Sequence, residues 1–175
     1  MKKLHLGCGG HHLEGWENHD VDVDIRNWLP YEDNSVDFIF SEHVVEHIRP
    51  FEAWNYFEEC FRILKPCGVV RTTVPDISQV WEKKTPEYIA FVQQKGWGDG
   101  SRKSAIRHLV FNHGHQSLWT MLLLKAVLGA VGFAVFEEKP YHSLWPDLTD
   151  LEQHGIDLGK ENNLIESISV DAMKP

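Results

Sequence analysis

The sequence predicts an α/β protein built on a mainly parallel sheet with helices on both faces. Three observations lead there. Short apolar runs with strand character occur at "KLHL", "VDFIF" and "GVVRTTVP". Between the last two, apolar residues recur at helical spacing, and a glycine cluster closes the first run in "LHLGCGG". Strands that alternate with helices need crossover connections, and crossovers build parallel sheets.

"KLHL" is a short strand that ends at Gly7, and "ENHDVDVDI" (17–25) contains alternating apolar residues. "VDFIF" (36–40) reads as a buried strand. In "FEAWNYFEECFRILKP", Trp54, Phe57, Phe61 and Leu64 fall on one helical face, and Lys65-Pro66 with Gly68 supplies the stop. "GVVRTTVP" (68–75) is the next strand. "SLWTMLLLKAVLGAVGF" is a helix with Ser117 as its N-cap and Gly132 as its stop; "FAVFEEKP" and "ESISVDAMK" supply the closing strands. Residues 76–116 are too long for a simple connection and carry Trp81, Tyr88, Phe91 and Trp97. They read as a lid or substrate insertion with "GWGDGS" as its joint, or as two added helices over a satellite core. The irregular stretch 141–163 flanks the same opening. With no repeat or low-complexity linker, residues 1–175 form a single domain.

The chain is 42% hydrophobic and 25% charged, enough apolar mass for one core. No run approaches the roughly 18 apolar residues of a membrane span, and "MKKLHLGCGG" turns into glycine before a signal-peptide core could form. A cytoplasmic protein without membrane contact is expected. The three cysteines, Cys8, Cys60 and Cys67, suggest neither a disulfide framework nor a zinc site and read as small buried filler. A net charge of −9 opposes nucleic-acid binding, which draws its affinity from lysine and arginine. Seven tryptophans fit a homodimer surface as well as a substrate pocket.

In such a sheet the ligand lies beyond the carboxyl ends of the strands, at the switch point of the strand order. That rule selects Gly7 to His12, Asp20 to Asp24, Ser41 to His47, and the chain from Pro75. A dinucleotide fingerprint needs a third glycine where His12 stands, which weakens a nicotinamide reading. What remains is a shorter loop whose glycines let the backbone approach a ligand. Asp20, thirteen residues after Gly7, is placed to accept hydrogen bonds from both hydroxyls of a ribose.

Taken in order, "LHLGCGG", "LPYEDNSVDFIFSEHVVEHI" and "EECFRILKPCGVVRTTVPD" resemble the class I S-adenosylmethionine-dependent methyltransferases, in particular a branch of small predicted bacterial methyltransferases. The similarity covers most of residues 4–76 and resumes with "GHQSLWTMLLLKAVLGAVGF". It implies a Rossmann-like methyltransferase fold with a seven-strand-type sheet and an antiparallel last strand, and S-adenosylmethionine as cofactor. Matched residue by residue, Gly7, Cys8 and Gly9 would face the methionine part of the cofactor. Asp20 would bind the ribose, Asp24 the adenine amino group, and Ile25 would pack on the ring. Ser41, Glu42 and His43 would lie beside the sulfonium. His5 stands where many members carry an acid, and His11 where a third glycine is common, which asks His11 for an unusual backbone angle. The closeness of Asp20 and Asp24 leaves no room for the usual helix between strands two and three.

A sulfonium methyl is already electrophilic, so holding the acceptor in line supplies most of the acceleration and a base supplies less. His43 is the first candidate base, with His113 and His115 in "NHGHQS" as further candidates; His47 reads as a structural anchor. Two histidines one residue apart do not make a metal site without nearby acids, so no metal is expected. The expected reaction is methyl transfer to a small-molecule acceptor, for which the resemblance implies a saccharide or related metabolite. A non-catalytic S-adenosylmethionine-binding module and a nicotinamide-dependent oxidoreductase are the alternatives.

Overall fold

A computed structural model describes residues 1–78 and 86–175; Trp81 lies outside the described residues. Six strands form one sheet: β1 (Lys3–Leu6), β2 (Glu17–His19), β3 (Val36–Glu42), β4 (Leu64–Pro75), β5 (Ala134–Glu138) and β6 (Ser167–Met173), in the spatial order β2-β1-β3-β4-β6-β5. The first four are mutually parallel, and β6 runs antiparallel to both β4 and β5. The α/β class and the antiparallel last strand agree with the sequence reading, with six strands among the described residues rather than seven.

The missing strand has a local cause. Asp22 Oδ1 accepts the Asp20 amide at 2.7 Å, and Asp24 Oδ1 accepts the Arg26 amide at 3.0 Å. These side-chain turns compete with a ladder for the same amides. Val21, which alternation would bury, is 94% exposed. The chain from Asp20 to Ser35 therefore crosses to β3 as turns.

Helix α1 (Pro50–Ile63) starts where Pro50 needs no amide partner and Glu52 reaches back to the Arg49 amide at 2.8 Å. Ala53, Tyr56, Phe57, Cys60 and Ile63 form its buried face. Helix α4 (Met121–Val131) packs beside it, and the two cover one sheet face in a core that includes Leu4, Leu6, Ile39, Val70 and Val170. Thr120, not Ser117, caps α4, accepting the Leu123 amide. Ser117 is instead buried, donating to the Val45 carbonyl and accepting from the Trp119 indole. On the opposite face Phe40 and Val69 are covered by Leu148, from the 3-10 turn Pro146–Leu148, and by Leu151, Leu13 and Trp16, which lie in turns and loops. Cys8 and Cys60 are buried as expected, whereas Cys67 is exposed.

Above the carboxyl ends of the strands, α2 (Pro86–Gln94) and α3 (Arg102–Phe111) pair over a separate core of Tyr88, Phe91, Val92, Ala105, Leu109 and Leu158. Two short helices, α5 (His154–Leu158) and α6 (Lys160–Glu166), complete this layer and lead into β6. No helix among the described residues is long and apolar enough to cross a membrane.

Candidate active site

The strand order reverses between β1 and β3, and the turns that follow these two strands build the site. Gly7 has φ +74°, and a Cβ there would stand 2.2 Å from Val44 Cγ2. Its bareness lets the turn after β1 pack on the turn after β3. The amides of Gly7 and Cys8 both donate to the His19 carbonyl, at 2.7 and 2.9 Å, which ties the loop to the end of β2. Around Gly9 and Gly10 a Cβ would meet nothing within 4 Å, so this backbone faces open space. His11 is not among the residues with positive φ; the unusual angle expected of it is absent, because the chain turns at Gly7 and Gly9 instead.

The loop borders a cavity of about 130 Å³ with His5, Glu42, His43 and His154 among its walls. Asp157 of α5 closes the far side, its Oδ2 3.5 Å from His11 Nε2. His5 is buried, and burial draws its pKa down to about 4, so the ring is neutral. Asn18 Oδ1 holds His5 Nδ1 at 3.1 Å. Glu42 accepts the amides of Gln153 (2.6 Å) and His154 (3.1 Å), and burial pushes its pKa up to about 7. The carboxylate thereby pins the returning 153–154 segment over the cavity.

The remaining predicted cofactor residues divide. Asp20 follows β2 directly, is exposed, and its carboxylate takes no hydrogen bond from the described residues. Together with burial it raises the Cys8 thiol pKa, which places its charge near the glycine loop. Asp24 is turned to other work: Arg26 and Asn27 occupy both its oxygens at 2.7–3.1 Å, and the Arg26 guanidinium holds the carboxyl down at about 2. Ile25 is 7% exposed and packs into the main core rather than offering a face to a ring. Ser41 is fully buried beside Tyr56, on the α1 side of β3.

A second cavity, of about 170 Å³, shares His43 and His154 with the first. Its walls bring His113 and His115 to His43 and add Glu46, His108 and Trp97. His43 sits at φ +52°, its ring 4.0 Å from that of His154 between centroids, with Nε2 2.9 Å from Ser167 Oγ. Burial, then the charges of His115 and His113, draw its pKa down to about 3. Burial pushes Glu46 up to about 7. The three candidate catalytic histidines thus meet in one chamber behind a two-histidine wall.

Sequence reasoning left His154 unnamed and gave Glu46 and Trp97, though inside the selected stretches, no site role. Glu46 was visible only as half of an "EH" pair, and His154 arrives from the irregular 141–163 stretch, flagged only as flanking the opening. Trp97, in the supposed joint, stacks on His108 at 4.7 Å.

A mainly parallel sheet with a glycine loop at its switch point defines a Rossmann-like α/β fold. Several solved structures share it. A SAM-dependent methyltransferase from Archaeoglobus fulgidus superposes with TM-score 0.61 at 16% identity, covering 99% of this chain and 86% of that one. An S-adenosylmethionine-dependent methyltransferase from Mesorhizobium loti gives 0.55 at 15% identity over 98% and 90%. The YcgJ protein of Bacillus subtilis gives 0.56 at 12% over 99% and 91%. No curated protein matches the sequence significantly. Residues 11–72 match the methyltransferase domain family. The match covers about a third of the chain, and with these neighbours it makes the chain similar in fold to S-adenosylmethionine-dependent methyltransferases. The bare Gly7–Gly9 backbone and the Asp20 carboxylate, which takes no hydrogen bond from the described residues, suit the S-adenosylmethionine of these similar proteins, and the partly open cavity of about 130 Å³ is smaller than that molecule.

Proposed function

We propose that the chain is an S-adenosylmethionine-dependent methyltransferase that methylates a hydroxyl or similar nucleophile of a small molecule, saccharide-like in character, with cofactor and acceptor meeting beside His43 and His154, which border both cavities. The observation that carries this reading is the shared wall: His43 borders both the glycine-loop cavity and the histidine-lined chamber. A chamber of about 170 Å³ suits a small polar group, and the net charge of −9 disfavours a nucleic acid.

When bound, S-adenosylmethionine supplies an electrophilic methyl group. The Gly7–Gly9 backbone holds the methionine end. His5, neutral and fixed by Asn18, presents its second nitrogen as an acceptor where an acid is common in the family. Asp20 accepts the ribose hydroxyls. Glu42 keeps residues 153–154 in place and so keeps water out. His43 orients the acceptor and takes its proton; the Glu46 carboxylate, with Oε1 3.2 Å from His43 Nδ1, offsets the positive charge that forms. His113 and His115 bind the acceptor's other polar groups.

Two outcomes are expected. Asp20→Ala should weaken S-adenosylhomocysteine binding by about 1–3 kcal/mol, the cost of leaving ribose hydroxyls without a charged acceptor. Unchanged affinity in calorimetry would move the ribose acid to Asp22. His43→Asn keeps a residue that tolerates the left-handed backbone. It should lower turnover by about 10²- to 10⁴-fold against a saccharide and polyol panel while cofactor affinity stays constant. If the rate with an identified acceptor does not change, His43 is structural.

A further inference from the structure

The geometry points to a divalent transition-metal site in the histidine-lined chamber, made by Glu46, His47 and His115, whose donor atoms lie within 4.8 Å of one another. Glu46 and His47 are consecutive in the 3-10 turn Val45–His47, and His115 arrives on the chain that leaves α3. The two segments are locked together. The Glu46 carbonyl accepts the amides of Gln116 (2.7 Å) and Ser117 (3.1 Å), and Gln116 Nε2 donates to the His47 carbonyl at 2.6 Å.

Each donor is prepared for a cation. His115 Nδ1 donates to the Leu109 carbonyl at 2.6 Å, which fixes the tautomer and leaves Nε2 with a free lone pair. The His47 ring makes no hydrogen bond among the described residues and meets His115 edge to face at 5.0 Å. Glu46 is 1% exposed, and neither carboxylate oxygen has a hydrogen-bond partner. Its nearest nitrogen, His43 Nδ1 at 3.2 Å, has no hydrogen to give. Ser167 Oγ donates to Asn163 Oδ1 at 2.7 Å, so it accepts the His43 Nε2 hydrogen at 2.9 Å, and Nδ1 is left bare. A buried carboxylate facing bare imidazole nitrogens is costly unless a cation joins them.

Two imidazoles and one carboxylate suit zinc, iron, cobalt or manganese rather than calcium, and three protein ligands leave positions open to the chamber. The ion's role rests on the methyl-transfer reading; its binding does not. An acceptor hydroxyl bound there loses its proton more readily. The proton passes to His43, and the oxygen lone pair forms the new O–CH₃ bond as the S–CH₃ bond breaks to give a neutral thioether.

The test is a titration of untagged, chelator-treated full chain with Co²⁺, read by visible absorption and by metal content after dialysis, with Zn²⁺ as competitor. One equivalent is expected, displaced by Zn²⁺. Glu46→Gln and His115→Ala should each lower affinity at least about tenfold, as loss of even supporting groups does. His142→Ala, which removes a surface imidazole paired with Glu138, should not. Circular dichroism checks that the variants fold; where Glu46→Gln does not, His47→Ala, with no hydrogen bond to lose, takes its place. Absent stoichiometric binding, or binding that survives these changes, overturns the site. Cobalt binding without S-adenosylhomocysteine binding would sink the cofactor reading alone, and the converse would sink the metal site alone.

Discussion

Replacing Arg71 with alanine should cost about 3–5 kcal/mol of folding stability, the usual cost of breaking a buried ion pair from one side. The guanidinium is fully buried in β4. It meets Glu152 Oε1 through Nε at 2.8 Å, Asp171 Oδ1 through NH1 at 2.7 Å, and the Lys139 carbonyl through NH2 at 2.9 Å. Alanine leaves two carboxylates without their cation. Burial already raises the Asp171 pKa against the pull of Arg71. In the variant Asp171, already raised by burial, should hold its proton more tightly folded than unfolded, so its stability falls as pH rises, and the deficit against wild type should be smaller near pH 5 than at pH 8. Urea unfolding at the two pH values checks the size and the sign; a pH-independent deficit below about 1 kcal/mol, the range of an exposed pair, would mean the network is not desolvated. Cofactor binding should weaken too, since Glu152 directly precedes the two residues whose amides hold Glu42 over the first cavity.

Gly7→Ala is the second large effect. The new methyl would lie 2.2 Å from Val44 Cγ2, at a φ of +74°. Overpacking costs about 1–3 kcal/mol and the left-handed backbone about 1–2 kcal/mol more. Relief comes only by shifting the turn that carries His43. Stability should therefore fall by about 2–5 kcal/mol on those combined terms, and S-adenosylhomocysteine binding should be lost. Val44→Ala removes the clashing methyls, so the double variant should regain part of the stability. Gly9→Ala meets no atom within 4 Å but sits at φ +51°, so it should cost only the left-handed backbone term, about 1–2 kcal/mol, less than Gly7→Ala. If Gly7→Ala binds as wild type does, the two turns are not packed as described.

The strands and helices legible in the sequence were those whose periodicity is local. Leu4, Leu6 and the β3 run bury by spacing alone. The α1 helix was legible but its face was not, since Ala53, Tyr56, Phe57, Cys60 and Ile63 are buried, only Phe57 of the expected four shares that face, and Leu64 already begins β4. Reading failed where side chains bind their own backbone: Asp22 and Asp24 turn an alternating stretch away from the sheet, and Thr120 takes the cap that Ser117 was expected to fill. The site was half legible. The strand-end rule selected Gly7, Cys8, Gly9, Glu42 and His43, all of which border one cavity. Asp24 and Ile25, matched to adenine contacts only through the resemblance, lie in the turns after β2 and are left to a local ion pair and the core. His154 and the meeting of Glu46 with His115 depend on contacts between residues 69 to 111 positions apart, beyond the reach of spacing.

The most direct measurement of the central claim is a calorimetric titration of the purified chain with S-adenosylhomocysteine, run beside NADH. Binding near 1 μM, about −8 kcal/mol, with no heat from NADH is the predicted result. Heat from NADH in preference to S-adenosylhomocysteine, or from neither, would contradict a methyl-donor pocket at the Gly7–Gly9 turn.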